Sequence, residues 1–162
     1  MKIILTLCLT LCLSVSLLYA DDATAIMNDY KNEKKADYVN LPRFLVRMGM
    51  RSAGQKDLAK RISAIKMLDL DECSQTVKEG YARRLAALPS QGYEVLMRMK
   101  DGDDKVFFLI KEQQNMVVEL LIGSSGDSNS LALFSGEFQL EELAGMIQMD
   151  NSSEGCSTEE KN

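Results

Sequence analysis

Tyr93-Glu94-Val95-Leu96-Met97-Arg98-Met99-Lys100-Asp101-Gly102-Asp103-Asp104-Lys105-Val106-Phe107-Phe108-Leu109-Ile110 is the stretch that decides the fold class of this chain. Tyr93, Val95, Met97 and Met99 alternate with Glu94, Arg98 and Lys100, the period of two expected of a strand with one buried face. Asp101 to Asp104 is turn chemistry around a glycine, and it leads into the apolar run Val106 to Ile110, so the stretch reads as a β-hairpin. Outward from it, Gln113 to Asn115 turns again into Met116 to Ile122. Gly123 to Ser130 (Gly-Ser-Ser-Gly-Asp-Ser-Asn-Ser) reads as a flexible loop leading to a fourth strand, Leu131 to Phe138. Four short apolar segments at close, even spacing make an antiparallel meander.

Upstream of the meander the periodicity changes. Ala23, Ile26, Met27 and Tyr30 fall on one face of a short helix. Tyr38, Val39 and Leu41 form a brief strand, and Pro42 suits the first turn of the helix that follows, where a missing amide hydrogen is harmless. Leu41, Leu45 and Met48 share one side of that helix, which Gly54 closes. Arg61 to Leu70 carries Ile62, Ala64, Ile65, Met67, Leu68 and Leu70, the pattern of a strand covered on both faces. Asp71 or Ser74 caps the next helix, in which Cys73, Val77, Tyr81, Leu85 and Leu88 recur every three or four residues until Pro89. After the meander, Leu140, Leu143, Ala144 and Ile147 place a last helical face against the sheet. The expected fold is α+β, in two layers: a mostly antiparallel sheet, the late four-stranded meander plus one or two earlier strands, covered by three to four helices.

The two ends of the chain read differently from this body. Lys2, an uncharged run from Ile3 to Leu18 and then Tyr19-Ala20 read as a signal peptide over residues 1–20, cleaved after Ala20 or, at the small-x-small site, after Ala25. The run is too short to span a bilayer, and no later segment is longer without charges, so no membrane span is expected. Cys8 and Cys12 both follow leucine inside the apolar run, which leaves no lipid-acceptor cysteine in the expected position. Residues 21–149 then form a single domain, and 150–162 a disordered acidic tail.

Composition narrows the chemistry. The 162 residues carry a net charge of −5, which argues against nucleic acid or an anionic membrane as a general partner. Histidine is absent, which removes the commonest general base and zinc ligand. Ser63-Ala64-Ile65-Lys66 matches S-x-x-K, but on an expected strand, and without the companion elements that such enzymes use. Asp69, Asp71 and Glu72, and Asp101, Asp103 and Asp104, lack the order of a calcium loop and read as a helix cap and a hairpin turn. Gly123 to Gly126 lacks the lysine of a phosphate-cradling loop. Cys73 and Cys156 remain after signal removal: they either pair in an oxidising compartment, or Cys73 is a small buried hydrophobe while Cys156 lies in the tail. No catalytic, cofactor or metal residue is assigned.

Ten methionines, several of them in Arg47-Met48-Gly49-Met50 and Met97-Arg98-Met99, most simply fill gaps in a core; the second reading is an adaptable groove for a peptide or lipid. The stretches Tyr38-Val39-Asn40-Leu41, Leu58 to Leu68, Gly92-Tyr93-Glu94-Val95-Leu96-Met97 and Leu133-Phe134-Ser135-Gly136-Glu137-Phe138 together resemble the exported bacterial family called domain of unknown function 4252, over roughly residues 37 to 148. The resemblance implies an envelope context and no activity. Members of that family are often lipoproteins, from which this chain departs in offering no cysteine at the lipid-acceptor position, and the neighbourhood of the family's genes hints at envelope signalling. The expected function is thus an exported, non-catalytic binding or regulatory module, its partner an envelope protein or a small apolar ligand. The alternative is a hydrolase using carboxylates or Ser63 with Lys66.

Overall fold

The computed structural model describes residues 22–52, 54 and 58–139. The expected signal peptide, the helical face Leu140 to Ile147, Cys156 and the acidic tail lie outside the described residues.

Six strands make one antiparallel sheet: β1 (Asp37–Pro42), β2 (Ile62–Asp69), β3 (Glu94–Asp101), β4 (Asp104–Gln113), β5 (Met116–Ser125) and β6 (Ser130–Phe138). Their spatial order is β1-β2-β6-β5-β4-β3. The helices are α1 (Ala23–Tyr30), α2 (Arg43–Ser52), α3 (Leu58–Arg61) and α4 (Gln75–Ala87). The α+β expectation holds, and β3 to β6 are the meander. Its turns follow local chemistry. The β3–β4 turn places Gly102 at φ 58° between the paired Asp101 and Asp104. The β4–β5 turn holds Gln114 and Asn115 both at positive φ, as a two-residue hairpin of the I′ kind requires.

The main core lies on one face of the sheet, here the front, under α1 and α4. Leu68, Leu109, Leu121, Leu131 and Leu133 meet Ile26 and Met27 of α1 and Tyr81 and Leu85 of α4, all fully buried. Each such side chain contributes about 1.5–3 kcal/mol of apolar burial. Helix α1 begins at Asp22, whose Oδ1 accepts from the Ala25 amide at 2.7 Å. The Ala23 amide donates to the Tyr93 hydroxyl at 3.1 Å, and that hydroxyl donates to Glu119. Tyr81 donates to the Ser130 carbonyl, tying α4 to the start of β6.

Several local expectations shift. Pro42 ends β1, opposite Ala64, and does not open α2; β1 is an edge strand, where a missing N–H costs no ladder bond. On α2 the buried side chain is Val46, while Leu45 and Met48 are exposed, so the helix is rotated from the face read in the sequence. Strand β2 lies one place in from the edge and leaves Met67 49% exposed, so it is not covered on both faces. Ser74 takes the N-cap position of α4 without a side-chain bond, and α4 ends at Ala87, with Pro89 inside a 3-10 turn, Leu88–Gln91. The expected loop from Gly123 shrinks to four residues, because Gly123 to Ser125 continue β5. Gly123 lies under α4, where an added Cβ would stand 2.6 Å from Leu85 Cδ1. The loop that remains is pinned: Asn129 is buried, its amide donating to Asp71 and its side chain to the Gly126 carbonyl.

Candidate functional site: the reverse face of the sheet

Strand β3 does not keep the alternation its sequence displays. Val95 stands opposite Leu109, but Met97 stands opposite Phe108, with Leu96 the extra residue of a bulge. A bulge shifts every later side chain to the other face. Tyr93 and Val95 therefore join the front core, while Met97 and Met99 project from the reverse face. Simple alternation would have buried all four together.

The register places one row across all six strands on that reverse face: Val39 beside Met67, then Ala132, Ile122, Phe108 and Met97. A parallel row runs Leu41, Ile65, Phe134, Leu120 and Ile110. These are the residues that a period of two sends away from α1 and α4. The second row is partly covered. Val46 of α2, with Ile62, Ile110, Val117 and Phe138, forms a smaller buried cluster, and Leu41, Met50, Ile65, Leu96 and Leu120 pack against it. Helix α2 packs mainly on β1 and β2. Along the first row Val39 is 47%, Met67 49% and Met97 37% exposed, and Met99 beyond it 47%. Phe44 and Met48 of α2 add 68% and 62%. Of the described methionines Met27 is buried and Met50 packs against the small cluster, but core filling, the commoner role, does not account for the exposed Met48, Met67, Met97 and Met99.

The two ends of the sheet carry opposite charge. Asp37 and Asp69 are paired across β1 and β2 at one end. At the other, Arg43, Lys60 and Arg61 line a cavity of about 390 Å³ together with Ser63, Met116, Gly136 and Glu137. Arg43 donates to the Lys60 carbonyl at 3.2 Å. On α2, Arg47 Nε is buried without a hydrogen-bond acceptor, a donor whose desolvation nothing among the described groups offsets.

The residues weighed as chemistry are placed as follows. Ser63 sits at the bulge of β2 and donates to the Ser135 carbonyl at 2.9 Å; Lys66, further along the same strand, is not bonded to it. Asp71 and Asp104 both serve the loop after β5, accepting from the amides of Asn129 and Ser128. Asp69 accepts from the Asp71 amide. Asp69 and Asp71 thus hold the turn after β2 and the distant loop after β5 and do not form the expected helix cap, whereas Asp101 to Asp104 form the expected β3–β4 turn. Cys73 is a buried free thiol 3.5 Å from the Lys34 carbonyl, and burial pushes its pKa up, away from reactivity. Tyr81 and Tyr93 are held neutral far above the usual phenol range, Tyr81 by burial and the nearby Asp71, Tyr93 by burial and its bond to Glu119. Among the described residues, no group of three or more Cys, Asp or Glu is gathered to hold a metal. No helix among them is long and apolar enough to cross a membrane.

The reverse face was not assigned from the sequence. The methionine pairs were its only signal, and the bulge that exposes them has no local signature.

Comparison with known proteins gives one match, a family model described as "Domain of unknown function (DUF4252)" over residues 30–146. No curated protein and no solved structure matches.

Proposed function

The chain belongs to the family of the domain of unknown function DUF4252, and from that premise we propose that it is an exported, non-catalytic module that binds a partner protein on the reverse face of its sheet. The partner chemistry this surface fits is an amphipathic helix with acidic groups on its flank. The single observation that carries the reading is the apolar row from Val39 to Met97, exposed at Val39, Met67 and Met97 and half-buried at Ala132, Ile122 and Phe108 between them. Unbranched methionine side chains at Met67, Met97 and Met99 repack around varied apolar partners at small cost. The uncompensated Arg47 Nε favours a carboxylate beside that apolar stripe. Docking of a helix on such a surface buries its positions i, i+3, i+4 and i+7.

A non-catalytic role is supported by where the one candidate nucleophile spends its proton, on the Ser135 carbonyl, and by a sequence without histidine. Export rests on the leader-like residues 1–20. Processing after Ala20 is favoured over Ala25, because α1 needs the Asp22 cap and the Ala23 amide bond to Tyr93, both lost in a chain that starts at Ile26.

A photo-crosslinking residue placed at position 67 or 97, with one at exposed Glu79 as control, tests the binding role in the cell envelope. Position-dependent crosslinks to a defined protein, confined to 67 and 97, are the expected result. Equal labelling from all three positions, or none from any, defeats the reading, as does substrate turnover that vanishes with Ser63→Ala.

A further inference from the structure

On the front face the apolar core stops short of the first turns of α4, and a cavity of about 210 Å³ opens there between the helix and the sheet. Its helical wall is Gln75, Lys78, Glu79 and Ala82, spaced by three and four residues on the side of α4 that carries Leu85. Along β5 the front positions run Leu121, Gly123 and Ser125, so the leucine layer gives way to a glycine packed under Leu85 and then to a hydroxyl. Ser125 is 6% exposed and lines the cavity, and its hydroxyl makes no hydrogen bond among the described residues. The neighbouring buried polar side chain, Asn129, is by contrast committed to the loop, its Nδ2 donating to the Gly126 carbonyl at 2.8 Å. A hydroxyl withdrawn from bulk water and left open to a cavity calls for a partner inside it.

The charged groups around the cavity are of both signs. Lys78, half-buried, and Lys105, exposed, form no ion pair among the described residues. Lys105 stands directly opposite Lys100 across β3 and β4, a like-charge pairing that costs stability and that a bound anion offsets. The amides opening α4 add partial positive charge, and Ser74 at the cap makes no side-chain bond to them. Against these stand two carboxylates: Asp103 in the exposed β3–β4 turn, and Glu79, one of whose oxygens accepts from Gln75 at 3.1 Å. The wall on that side is fixed, since Gly126 at φ 140° leaves no room for a Cβ beside the Asp103 carbonyl.

We propose that this cavity binds a free α-amino acid with a small side chain, its carboxylate on Ser125 Oγ, Lys78 and Lys105 and its ammonium on Glu79 and Asp103. A lone anion or a lone cation leaves one pair of charges uncompensated, whereas a zwitterion meets both. The volume lies below the roughly 300–1,000 Å³ that drug-sized ligands occupy. Among the described lining residues only Ala82 and Gly126 are apolar, so nothing there favours a large or aromatic side chain. The site lies on the face opposite the proposed protein-binding surface and does not depend on it.

Glycine, acetate and methylammonium are the probes, because the last two each keep one of glycine's charged groups. Each is titrated into the nitrogen-15-labelled protein at constant ionic strength. Glycine should give saturable amide shifts centred on Lys78, Lys105, Ser125 and Gly126. Acetate and methylammonium should each bind about tenfold or more weakly, the loss expected when one set of charge-assisted contacts is removed. Ser125→Ala should weaken glycine binding about tenfold, and so should Lys105→Gln, at an exposed position where folding is not at stake. Both variants should keep the cooperative thermal melt of the parent. Acetate binding as tightly as glycine overturns the proposal, since the cavity is then an anion site. Shifts that fail to saturate, or unchanged glycine affinity in either variant, overturn it too. Crosslinking from positions 67 and 97 reads the reverse face alone, so the two ideas fail separately.

Discussion

Asp22 shows how much one side chain at the edge of the domain holds in place. Its carboxylate satisfies the Ala25 amide at the start of α1, a group that no helical carbonyl reaches. Asp22→Ala should lower stability by about 1 kcal/mol, read as a fall in the denaturant midpoint with unchanged slope. At Gly123 the constraint is steric and comes from above the sheet. Gly123→Ala would drive a methyl group into Leu85, at an expected cost of about 1–3 kcal/mol. Two tyrosines set the response to alkali. Tyr81 and Tyr93 keep their protons in the folded state well above the pH at which unfolded tyrosine, with a pKa near 10, loses them. Above that pH the unfolded state binds fewer protons than the native one, so stability falls as pH rises. Chemical denaturation from pH 7 to 11 should therefore show a plateau up to about pH 9 and a decline beyond it, shallower in Tyr81→Phe.

At the scale of elements, the bulge in β3 separates side chains that the sequence makes look alike. Val95 and Met97 are two residues apart in an alternating stretch, yet one packs in the front core and the other faces outward. Met97→Glu and Met99→Glu should each change stability by about 0.5 kcal/mol or less, whereas Leu109→Glu, in the same hairpin but fully buried, should prevent folding. Thermal melts of the three variants check this directly. Helix α1 behaves as a unit: a chain beginning at Ile26 loses the cap, the buried Ala23 and the amide bond to Tyr93, an expected loss of about 2 kcal/mol or more. The elements themselves were largely legible in the sequence, because helix and strand periods and Gly-Asp or Asn turn chemistry act over a few residues. Helix α1, strands β1, β2 and β3 and helix α4 lie within a residue or two of where their apolar periods put them, while β5 runs three residues beyond its expected end. The rotation of α2 was not legible, since Phe44, Leu45, Val46 and Met48 give that helix more than one apolar side, and only contact with β2 selects Val46.

At the scale of the molecule, the described residues give the sheet one face built as a core and one that they cover in part, and the two ends of the sheet carry opposite charge. The row from Val39 to Met97 leaves Val39, Met67 and Met97 exposed with half-buried residues between them, and the proposed binding role rests on that apolar surface. Combining Met67→Glu with Met97→Glu should reduce binding of a hydrophobic dye to the native protein while the melting transition stays cooperative, because neither side chain supports the front core.

Local periodicity and turn residues were enough to determine most of the elements, the antiparallel meander and the α+β class, though not the short helix α3, since each rests on interactions within about a dozen residues. Composition by itself also shows that histidine, the commonest general base, is missing. Tertiary structure alone decided that β2 pairs with β6 and β1 with β2, that a bulge carries Met97 and Met99 to the reverse face, and that Arg43, Lys60 and Arg61 meet where β6 ends. Those outcomes depend on which surfaces compete for burial once the chain has closed on itself, and that competition is between residues far apart in the sequence.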